Sequence, residues 1–396
     1  MRPVILTREY PPEIYGGAGV HVEYLARELG RLMPVEVRCF GPDRDPGDGP
    51  PVRAFEPWAE LGGDLLYAST LRVLSVDLAM TAGLDDATLV HSHTGYANFA
   101  GHLAKVMFGV PHVMTTHSFE PHRPWKVQQL GTAGYALSSW SERTAIEHAD
   151  AVIAVSGAMR DGVLELYPKV DPARIEVIHN GIDPEQFAPD VGTEALARYG
   201  VDPARPYVMF VGRISRQKGI DLLLEAVRSL DPSAQFVLCA GSSDTAELRE
   251  EVARAVEELR ALRDGVVWLE DMVSRPDLIQ LLTHAVLLAV PSVYEPLGIV
   301  NLEAMACETA VVASAVGGIP EVVVDGETGL LVPYDPADPA GFQAGLAARI
   351  DELLADPERA REMGAAGRRR VLEEFTWRSI AERTLALYRR VDPQSP

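Results

Sequence analysis

The amino-acid sequence predicts an α/β protein made of two doubly wound, parallel-sheet domains of the Rossmann-like kind. The chain has 396 residues, which is too long for one compact domain of about 150 residues. Short apolar runs alternate with amphipathic helical patterns, as in parallel βαβ units. The alternation stops at a proline-rich stretch, residues 183–190, and then begins again. We therefore expect two domains that face each other across a cleft, with the ligand in that cleft.

Each apolar run predicts one buried strand. The runs of the first half are VIL (4–6), VEVRCF (35–40), ATLVHSH (87–93), HVMTTH (112–117), AVIAVS (151–156) and IEVIHN (175–180). Those of the second half are YVMFVG (207–212), QFVLCAG (235–241), GVVWLE (265–270), AVLLAVPS (285–292), AVVAS (310–314) and GLLVP (329–333). The expected domains are residues 1–185 and 186–377, and a last helix, about 378–396, can pack back on the first domain.

Charge and composition narrow the class of partner. With 36 Lys and Arg against 57 Asp and Glu, the net charge of −21 repels nucleic acid and anionic membranes. Nowhere do about 18 apolar residues run together, and the apolar run near the N-terminus is too short for a signal peptide. Cys39, Cys239 and Cys307 lack disulfide or zinc spacing. We expect a cytoplasmic protein that binds small molecules, and we leave open whether it forms a homodimer.

A glycine cluster follows the first predicted strand. Gly16, Gly17 and Gly19 open an amphipathic helix whose first amides can hold a phosphate. A structural turn is one alternative. A dinucleotide-binding fingerprint of a dehydrogenase is another, but it needs a tight strand-to-helix turn, and nine residues separate Thr7 from Gly16. The sequence favours phosphate binding.

Two cations lie in the loop after the strand YVMFVG. Arg213 follows the strand and Lys218 precedes the next helix. A forked guanidinium and a compact ammonium can converge on a diphosphate. The alternative is a pair of solvated loop charges.

Two glutamates, Glu295 and Glu303, lie eight residues apart. On one helix that spacing separates them by about 12 Å, too far for one small site. Pro296 favours a loop position for Glu295, with Glu303 in the opening turns of the following helix. The amides at the start of that helix would then face a ligand. The alternative for Glu303 is a first-turn carboxylate that stabilises the helix dipole.

Six of the ten histidines lie between residues 91 and 122. His91 and His93 could form a metal pair, but a predicted strand holds them without carboxylates or thiols nearby in sequence, so we predict no metal site. The two aspartates Asp43 and Asp45 lie in a low-complexity loop and carry no metal prediction. His117 differs because it ends a strand on the side where ligands bind.

These motifs together resemble the retaining GT-B glycosyltransferases of family 4, which include bacterial glycogen synthases. The segments that carry the resemblance are EYPPEIYGGAG (9–19), TTH (115–117), ADAVIAVS (149–156), NGID (180–183), GRISRQKG (212–219), EPLGIVNLE (295–303) and GGIPEVV (317–323). The resemblance extends over essentially the whole chain. The opening segment is most similar to the actinobacterial enzymes described as glycogen synthases or α-maltose-1-phosphate synthases, which use ADP-glucose.

The resemblance implies a role for each candidate. Arg213 and Lys218 would neutralise the leaving diphosphate, Glu295 would lie at the transferred sugar, and His117 would lie near its C6 hydroxyl and anomeric carbon. Further donor-binding residues are implied at Gly16, Gly17, Asn180, Leu297, Gly298, Ile299 and Glu303. One departure concerns the glycine loop, where enterobacterial glycogen synthases carry Lys-Thr-Gly-Gly and this chain has Ile14 and Tyr15 before the glycines.

The implied reaction is a retaining, metal-independent glucosyl transfer from ADP-glucose, without a cofactor. We expect glucose 1-phosphate as the acceptor and α-maltose 1-phosphate, in α-glucan or glycogen biosynthesis, as the product. Arg123 and Lys126 form a small basic cluster, next to His122, that can take the acceptor's phosphate, and Tyr15 is a further acceptor candidate. If those charges are solvated instead, glucan ends are the alternative acceptor, with aromatic platforms at Tyr96, Trp125 or Trp140.

Proteins of other classes remain as alternatives. They are a glycosyltransferase with another nucleotide sugar, a nucleotide-sugar epimerase, an exported sugar-binding protein and a pyridoxal-phosphate phosphorylase. No signal peptide supports the binding protein, and no lysine lies in a pattern typical of the phosphorylase.

Overall fold

The computed structural model describes residues 1–392, except residues 15, 46, 48, 64 and 125. The described chain divides into two compact units. The first comprises residues 1–181 and the C-terminal segment that begins at Trp377, and the second comprises residues 182–376.

The boundary between the units lies a few residues before the predicted one. The amide of Ile182 donates to the carbonyl oxygen of Phe375 over 2.7 Å, and Arg368 donates to the carbonyl oxygen of Phe187 over 3.2 Å. All four residues belong to the second unit. The proline-rich stretch at which the predicted alternation stops is therefore tied to the second unit by hydrogen bonds.

The first unit alternates strands and helices, with the last helix added from the C-terminus. Its elements are β1 (Pro3–Leu6), α1 (Gly17–Leu32), β2 (Glu36–Phe40), β3 (Val52–Phe55), α2 (Ala68–Thr81), β4 (Leu89–His93), α3 (Asn98–Phe108), β5 (His112–Thr116), α4 (Lys126–His148, with a kink at Gly131), β6 (Ala151–Ala154), α5 (Gly157–Leu166), β7 (Ile175–Val177) and α14 (Trp377–Val391).

The second unit repeats this alternation. Its elements are α6 (Glu194–Tyr199), β8 (Tyr207–Val211), α7 (Ile220–Val227), β9 (Gln235–Cys239), α8 (Ala246–Leu262), β10 (Val266–Leu269), α9 (Arg275–His284), β11 (Leu287–Val290), α10 (Ile299–Ala306), β12 (Ala310–Ser314), α11 (Ile319–Val322), β13 (Gly329–Val332), α12 (Pro339–Ala355) and α13 (Pro357–Glu374).

Both sheets are parallel and doubly wound, which confirms the predicted fold class. Among the described residues, the first sheet has seven strands in the order β3-β2-β1-β4-β5-β6-β7 and the second has six in the order β10-β9-β8-β11-β12-β13. The strand order reverses between β1 and β4 and between β8 and β11. Ligands of such sheets bind at the carboxyl ends of the strands next to this reversal.

Core packing on the first sheet follows the period of two along β1. Ile5 packs with α1 and α14, whereas Val4 and Leu6 pack with α2 and α3 on the opposite face. Helix α14 is anchored by Trp377, whose ring stacks on Tyr24 at 5.8 Å between centroids. The C-terminal helix therefore completes the core of the first unit.

Each predicted apolar run overlaps one of these strands. Strand β3 is the additional strand of the described chain, and the sequence analysis missed it. It lies at the sheet edge and is only half buried. Such an edge strand needs no continuous apolar run, so the sequence carried no signal for it.

Two further sequence predictions concern the whole chain. None of the described helices is both long and apolar enough to cross a membrane. Cys39, Cys239 and Cys307 are buried free thiols, distributed over both units.

Candidate functional site

The carboxyl edge of the second sheet brings Lys218 and Glu295 together. Nζ of Lys218 donates a hydrogen bond to Oε2 of Glu295 over 2.6 Å. Lys218 lies in a 3₁₀ turn after β8, and Glu295 lies in the loop after β11. Arg213 lies just past β8, after Gly212, and pairs with Asp244 over 2.6 Å. The two predicted cations, Arg213 and Lys218, thus lie in one loop, next to the two strands between which the strand order reverses.

The two loops that carry this ion pair are held together by their backbones. The amide of Val293 donates to the carbonyl oxygen of Gln217 over 2.9 Å. Gly219 has a φ of 61°, and a Cβ there would collide with the carbonyl oxygen of Pro291. A residue with a side chain cannot make this close approach without strain, so the glycine fixes the distance between the loops.

Glu295 is further held at its side chain and its backbone. Ser292 Oγ donates to Oε2 of Glu295 over 3.3 Å, and the amide of Gly318 donates to the carbonyl oxygen of Glu295 over 3.0 Å. Gly317, with a φ of 54°, leaves room for that carbonyl oxygen. The GGIPEVV segment of the sequence thus supports the first glutamate.

Helix α10 begins at Ile299, which places Glu295 in the preceding loop and Glu303 in the second turn. Gly298 precedes the helix with a φ of 89°, and Leu297 is buried. Because the effect of the helix dipole falls off within the first turn, this position disfavours the purely helix-stabilising role of Glu303. Burial raises the pKa of Glu303 to about 7, and the charges of Arg275 and Lys218 oppose that shift.

Sequence reasoning missed Asn301, in the first turn of α10. Its side chain is fully buried, and neither amide atom has a hydrogen-bond partner among the described residues. A buried amide without partners is costly unless something pairs with it. An Asn in a helix gives no sequence signal of this kind, so only the structure marks Asn301 as a candidate.

In the first unit, His117 belongs to a cluster of three histidines. Its Nε2 lies 3.3 Å from Nδ1 of His93, the last residue of β4. The ring of His21, from α1, lies 4.8 Å from that of His117. Nδ1 of His21 in turn lies 2.8 Å from Oδ1 of Asn180. Asn180 therefore orients His21, a contact that the sequence did not predict.

Burial favours the neutral form of all three rings. Burial, and then the neighbouring histidines, hold the pKa of His93 and of His117 well below the usual range, and burial lowers the pKa of His21 to about 4. The candidate ligand nitrogens of the three rings lie within 4.8 Å of one another. Three neutral imidazoles can hold a divalent transition metal, so this cluster, rather than His91 with His93, is the set of residues that suits one.

The predicted glycine loop already holds an anion from the protein itself. Oε2 of Glu9 accepts a hydrogen bond from the amide of Gly16 over 2.9 Å, and Gly17 begins α1. A phosphate that uses the Gly16 amide must therefore displace the Glu9 carboxylate.

A buried carboxylate, that of Glu120, pairs with the predicted basic cluster. Arg123 and Lys126 both donate to Oε1 of Glu120, over 3.0 and 2.6 Å. They are therefore not solvated loop charges, which was the alternative interpretation. Tyr15 and Trp125, the other acceptor candidates next to these segments, lie outside the described residues.

Comparison with known proteins agrees with the motifs. Family models match at residues 15–186 (Glycosyltransferase Family 4) and 193–370 (Glycosyl transferases group 1). The chain is 54% identical, over 99% of its length and 100% of the relative's, to an alpha-maltose-1-phosphate synthase of Mycolicibacterium smegmatis. It is 52% identical to the protein of that name in Mycobacterium tuberculosis H37Rv, over 99% of this chain and 100% of that one. Sucrose-phosphate synthase from Thermosynechococcus elongatus superposes with a TM-score of 0.79 at 28% identity, with 98% and 99% of the two chains covered.

Proposed function

The chain belongs to glycosyltransferase family 4, with the GT-B fold, and on that premise we propose that it forms α-maltose 1-phosphate. Glucose moves from ADP-glucose to glucose 1-phosphate with retention of configuration. The observation that carries the proposal is the full-length identity of 54% to an alpha-maltose-1-phosphate synthase. The Lys218–Glu295 pair beside Arg213 supports it from the chemistry of the second unit.

The donor's diphosphate is the group that Lys218 and Arg213 suit. As the bond between the sugar C1 and the phosphate oxygen breaks, its electron pair and negative charge pass to ADP. An ammonium has three donors, so Lys218 can bind that phosphate while it keeps its bond to Glu295 Oε2. Cations held in place before the reaction stabilise developing charge at little reorganisation cost.

We assign the binding of the ribose to Glu303. We assign the binding of the transferred glucose to residues at and before the start of α10, namely Glu295, Leu297, Gly298 and Ile299. The hydroxyl of the acceptor attacks C1 on the face that the phosphate leaves, and the departing phosphate oxygen takes its proton. This step needs no covalent intermediate on the protein. His117, neutral at pH 7, can exchange hydrogen bonds with the C6 hydroxyl of the sugar.

The acceptor is assigned to the first unit, where Arg123 and Lys126 suit a phosphate. A neutral glucan chain would instead need an open aromatic face. Tyr96 does not offer one, because the guanidinium carbon of Arg8 lies 4.2 Å from its ring centroid. A cation thus covers the Tyr96 ring, which favours a phosphorylated acceptor, whereas Trp140, another candidate platform for a glucan, is exposed.

We further propose that the reaction needs no metal, since Arg213 and Lys218 supply the charge that a divalent ion supplies in other transferases. The separate buried thiols suit a reducing compartment such as the cytoplasm.

The test is a product assay by mass spectrometry on the purified protein with ADP-glucose. Separate reactions contain glucose 1-phosphate, glycogen or no acceptor. Formation of a disaccharide phosphate, with the α configuration of the new bond read from the NMR coupling of its anomeric proton, supports the proposal. Extension of glycogen in its place would identify a glucan synthase, and a changed hexose without any glycoside would identify an epimerase. Inactivity with ADP-glucose but turnover with another nucleotide sugar would overturn the assigned donor.

A further inference from the structure

Loops from three neighbouring strands bring cations together at the carboxyl edge of the first sheet. Arg8 follows β1, Tyr96 follows β4, and the turn Glu120–His122 follows β5 and leads to Lys126 at the start of α4. The strand order of this sheet reverses between β1 and β4, so this edge is where ligands of doubly wound sheets bind.

Two of the cations, Arg8 and Lys126, lie close to the same aromatic ring, that of Tyr96. The guanidinium carbon of Arg8 lies 4.2 Å from the ring centroid of Tyr96, and Nζ of Lys126 lies 5.1 Å from the same centroid. An aromatic ring attracts cations through its quadrupole. Tyr96 therefore holds two positive charges near each other.

The negative charge at this edge does not balance the positive charge. Lys126 and Arg123 share a single oxygen atom, Oε1 of Glu120. Arg8 is exposed and makes no ion pair within the part of the chain that the structure describes. Two of the three cations thus share the carboxylate of Glu120, and Arg8 has no ion-pair partner among the described residues. This cluster of cations lies in a protein whose net charge is −21.

Glu9 and Glu142 are further acidic groups near this edge. Glu9 follows Arg8 in the sequence, and its Oε2 accepts a hydrogen bond from the amide of Gly16 over 2.9 Å. Glu142 is buried behind Glu120. Its Oε1 accepts hydrogen bonds from the amide of Glu120, over 2.9 Å, and from the hydroxyl of Tyr167. Burial raises its pKa to about 7, so it carries only part of a negative charge at neutral pH. None of these hydrogen bonds involves Arg8, Arg123 or Lys126, so the three cations remain in surplus over Glu120, the carboxylate that pairs with two of them.

An unpartnered donor adds to this surplus. Nε of Arg123 is buried and has no hydrogen-bond partner among the described residues. Such a donor costs free energy unless a ligand or a water pairs with it. Guanidinium groups bind phosphate oxygens through parallel N–H bonds, whereas a neutral sugar would leave the charges unpaired.

We propose that Arg8, Arg123 and Lys126 form the binding site for the phosphate monoester of the acceptor, with Arg8 as the residue that selects a phosphorylated over a neutral acceptor. Glu120 holds the other two cations in place and neutralises one of them, and Arg8 restores the charge needed for a dianion. This inference rests on the proposed function, because it names the site of that reaction's acceptor.

The test replaces Arg8 and measures KM separately for each of the two substrates. Arg8→Gln is expected to raise KM for glucose 1-phosphate at least about tenfold, with KM for ADP-glucose unchanged, and Arg8→Lys is expected to recover part of the loss. Arg53→Gln is the matched control, because Arg53 lies over the ring of Phe55, 5.8 Å from its centroid, in the same unit but on β3. Arg53→Gln should leave both KM values unchanged.

A direct titration provides a readout besides activity. Calorimetry with glucose 1-phosphate, and separately with inorganic phosphate, should show weaker binding to Arg8→Gln than to the parent protein or to Arg53→Gln. Equal acceptor KM and equal binding in Arg8→Gln and Arg53→Gln would overturn the proposal. So would equal increases of both KM values, which would mean that Arg8 acts on the fold.

Failure of the proposed function gives a different result. In that case the parent protein forms no disaccharide phosphate, before any variant is compared. The titration then still decides the site: phosphate binding that depends on Arg8 keeps it, and the absence of such binding removes it.

Discussion

Lys218 Nζ and Glu295 Oε2 lie 2.6 Å apart, although 77 residues separate them in the sequence. The ion pair joins the loops after β8 and β11, the two strands at which the order of the second sheet reverses. It therefore places a cation and a carboxylate where a doubly wound sheet binds its ligand.

We expect Lys218→Ala to lower kcat at least about a hundredfold while the fold remains intact, because the cation is held where charge develops on the leaving phosphate. The matched control is Arg216→Ala, two residues away in the same turn, whose exposed side chain pairs with Glu251. Steady-state kinetics and circular dichroism on both variants check this. Turnover of Lys218→Ala close to that of the control would refute the assigned role.

Glu295→Gln removes the carboxylate charge that faces Lys218 and keeps the size of the side chain. We expect a loss of about tenfold to a hundredfold in kcat/KM. Because the two groups contact each other, the double variant Lys218→Ala/Glu295→Gln should lose less than the product of the two single losses. Strictly multiplicative losses would show that the two groups act independently.

Gly219→Ala should destabilise the second unit more than an ordinary glycine substitution at positive φ. The new Cβ would collide with the carbonyl oxygen of Pro291, whereas Gly326 has a similar backbone, with a φ of 78° against 61°, and open space around it. We expect about 1–2 kcal/mol for Gly326→Ala, from the backbone alone, and more for Gly219→Ala. Urea unfolding of both variants measures the difference, and equal costs would contradict the collision.

Acid should destabilise the first unit below about pH 6.5. Burial lowers the pKa of His112 to about 3 and of His21 to about 4, and holds those of His91, His93 and His117 well below the usual range. Between the lowered and the ordinary pKa values the unfolded chain binds more protons than the folded one, so stability rises with pH there and falls on acidification.

Buried carboxyl groups act in the opposite direction. Burial raises the pKa of Asp77 well above its usual range and that of Glu142 to about 7 in the first unit, and that of Glu303 to about 7 in the second. In the first unit two carboxyl groups, Asp77 and Glu142, oppose six histidines, since the pKa of His102 is lowered as well, so we expect a net fall in Tm from pH 7 to pH 5. Replacing the buried His112 by Gln should flatten the pH dependence of Tm, and replacing the exposed His148 should not. A Tm that stays constant or rises on acidification would contradict this assignment.

Treatment with EDTA should leave turnover unchanged, because side-chain cations take the place of a metal in the proposed reaction. The assay is the formation of disaccharide phosphate before and after chelation and dialysis. Loss of activity that Zn²⁺ restores would instead give the three-histidine cluster a catalytic metal.

The sequence predicted the strands because burial on both faces of a parallel sheet leaves a local record, a continuous apolar run. It also predicted the split between Glu295 and Glu303, because eight residues exceed what one helix can bring to one site and Pro296 limits where that helix begins. Strand β3 left no such record, since an edge strand does not need to be apolar.

Partners of the charged and polar groups could not be predicted, because they come from distant parts of the chain. His21 and Asn180 are 159 residues apart, and their contact forms only when α1 lies over the completed sheet. The sequence predicted that Arg123 and Lys126 form a cluster. It did not predict that both side chains donate to one oxygen atom of Glu120.

By itself the sequence determined the two doubly wound units and the residue types available at each strand end, since these follow from local periodicity and spacing. The family came from the resemblance of its motifs to those of known proteins. Only the tertiary structure decided which charges are neutralised and which remain. Arg8 shows the difference, because its distance to Tyr96 depends on β1 and β4 being neighbours in the sheet. Strand order is set by packing across the whole unit, and no local pattern encodes it.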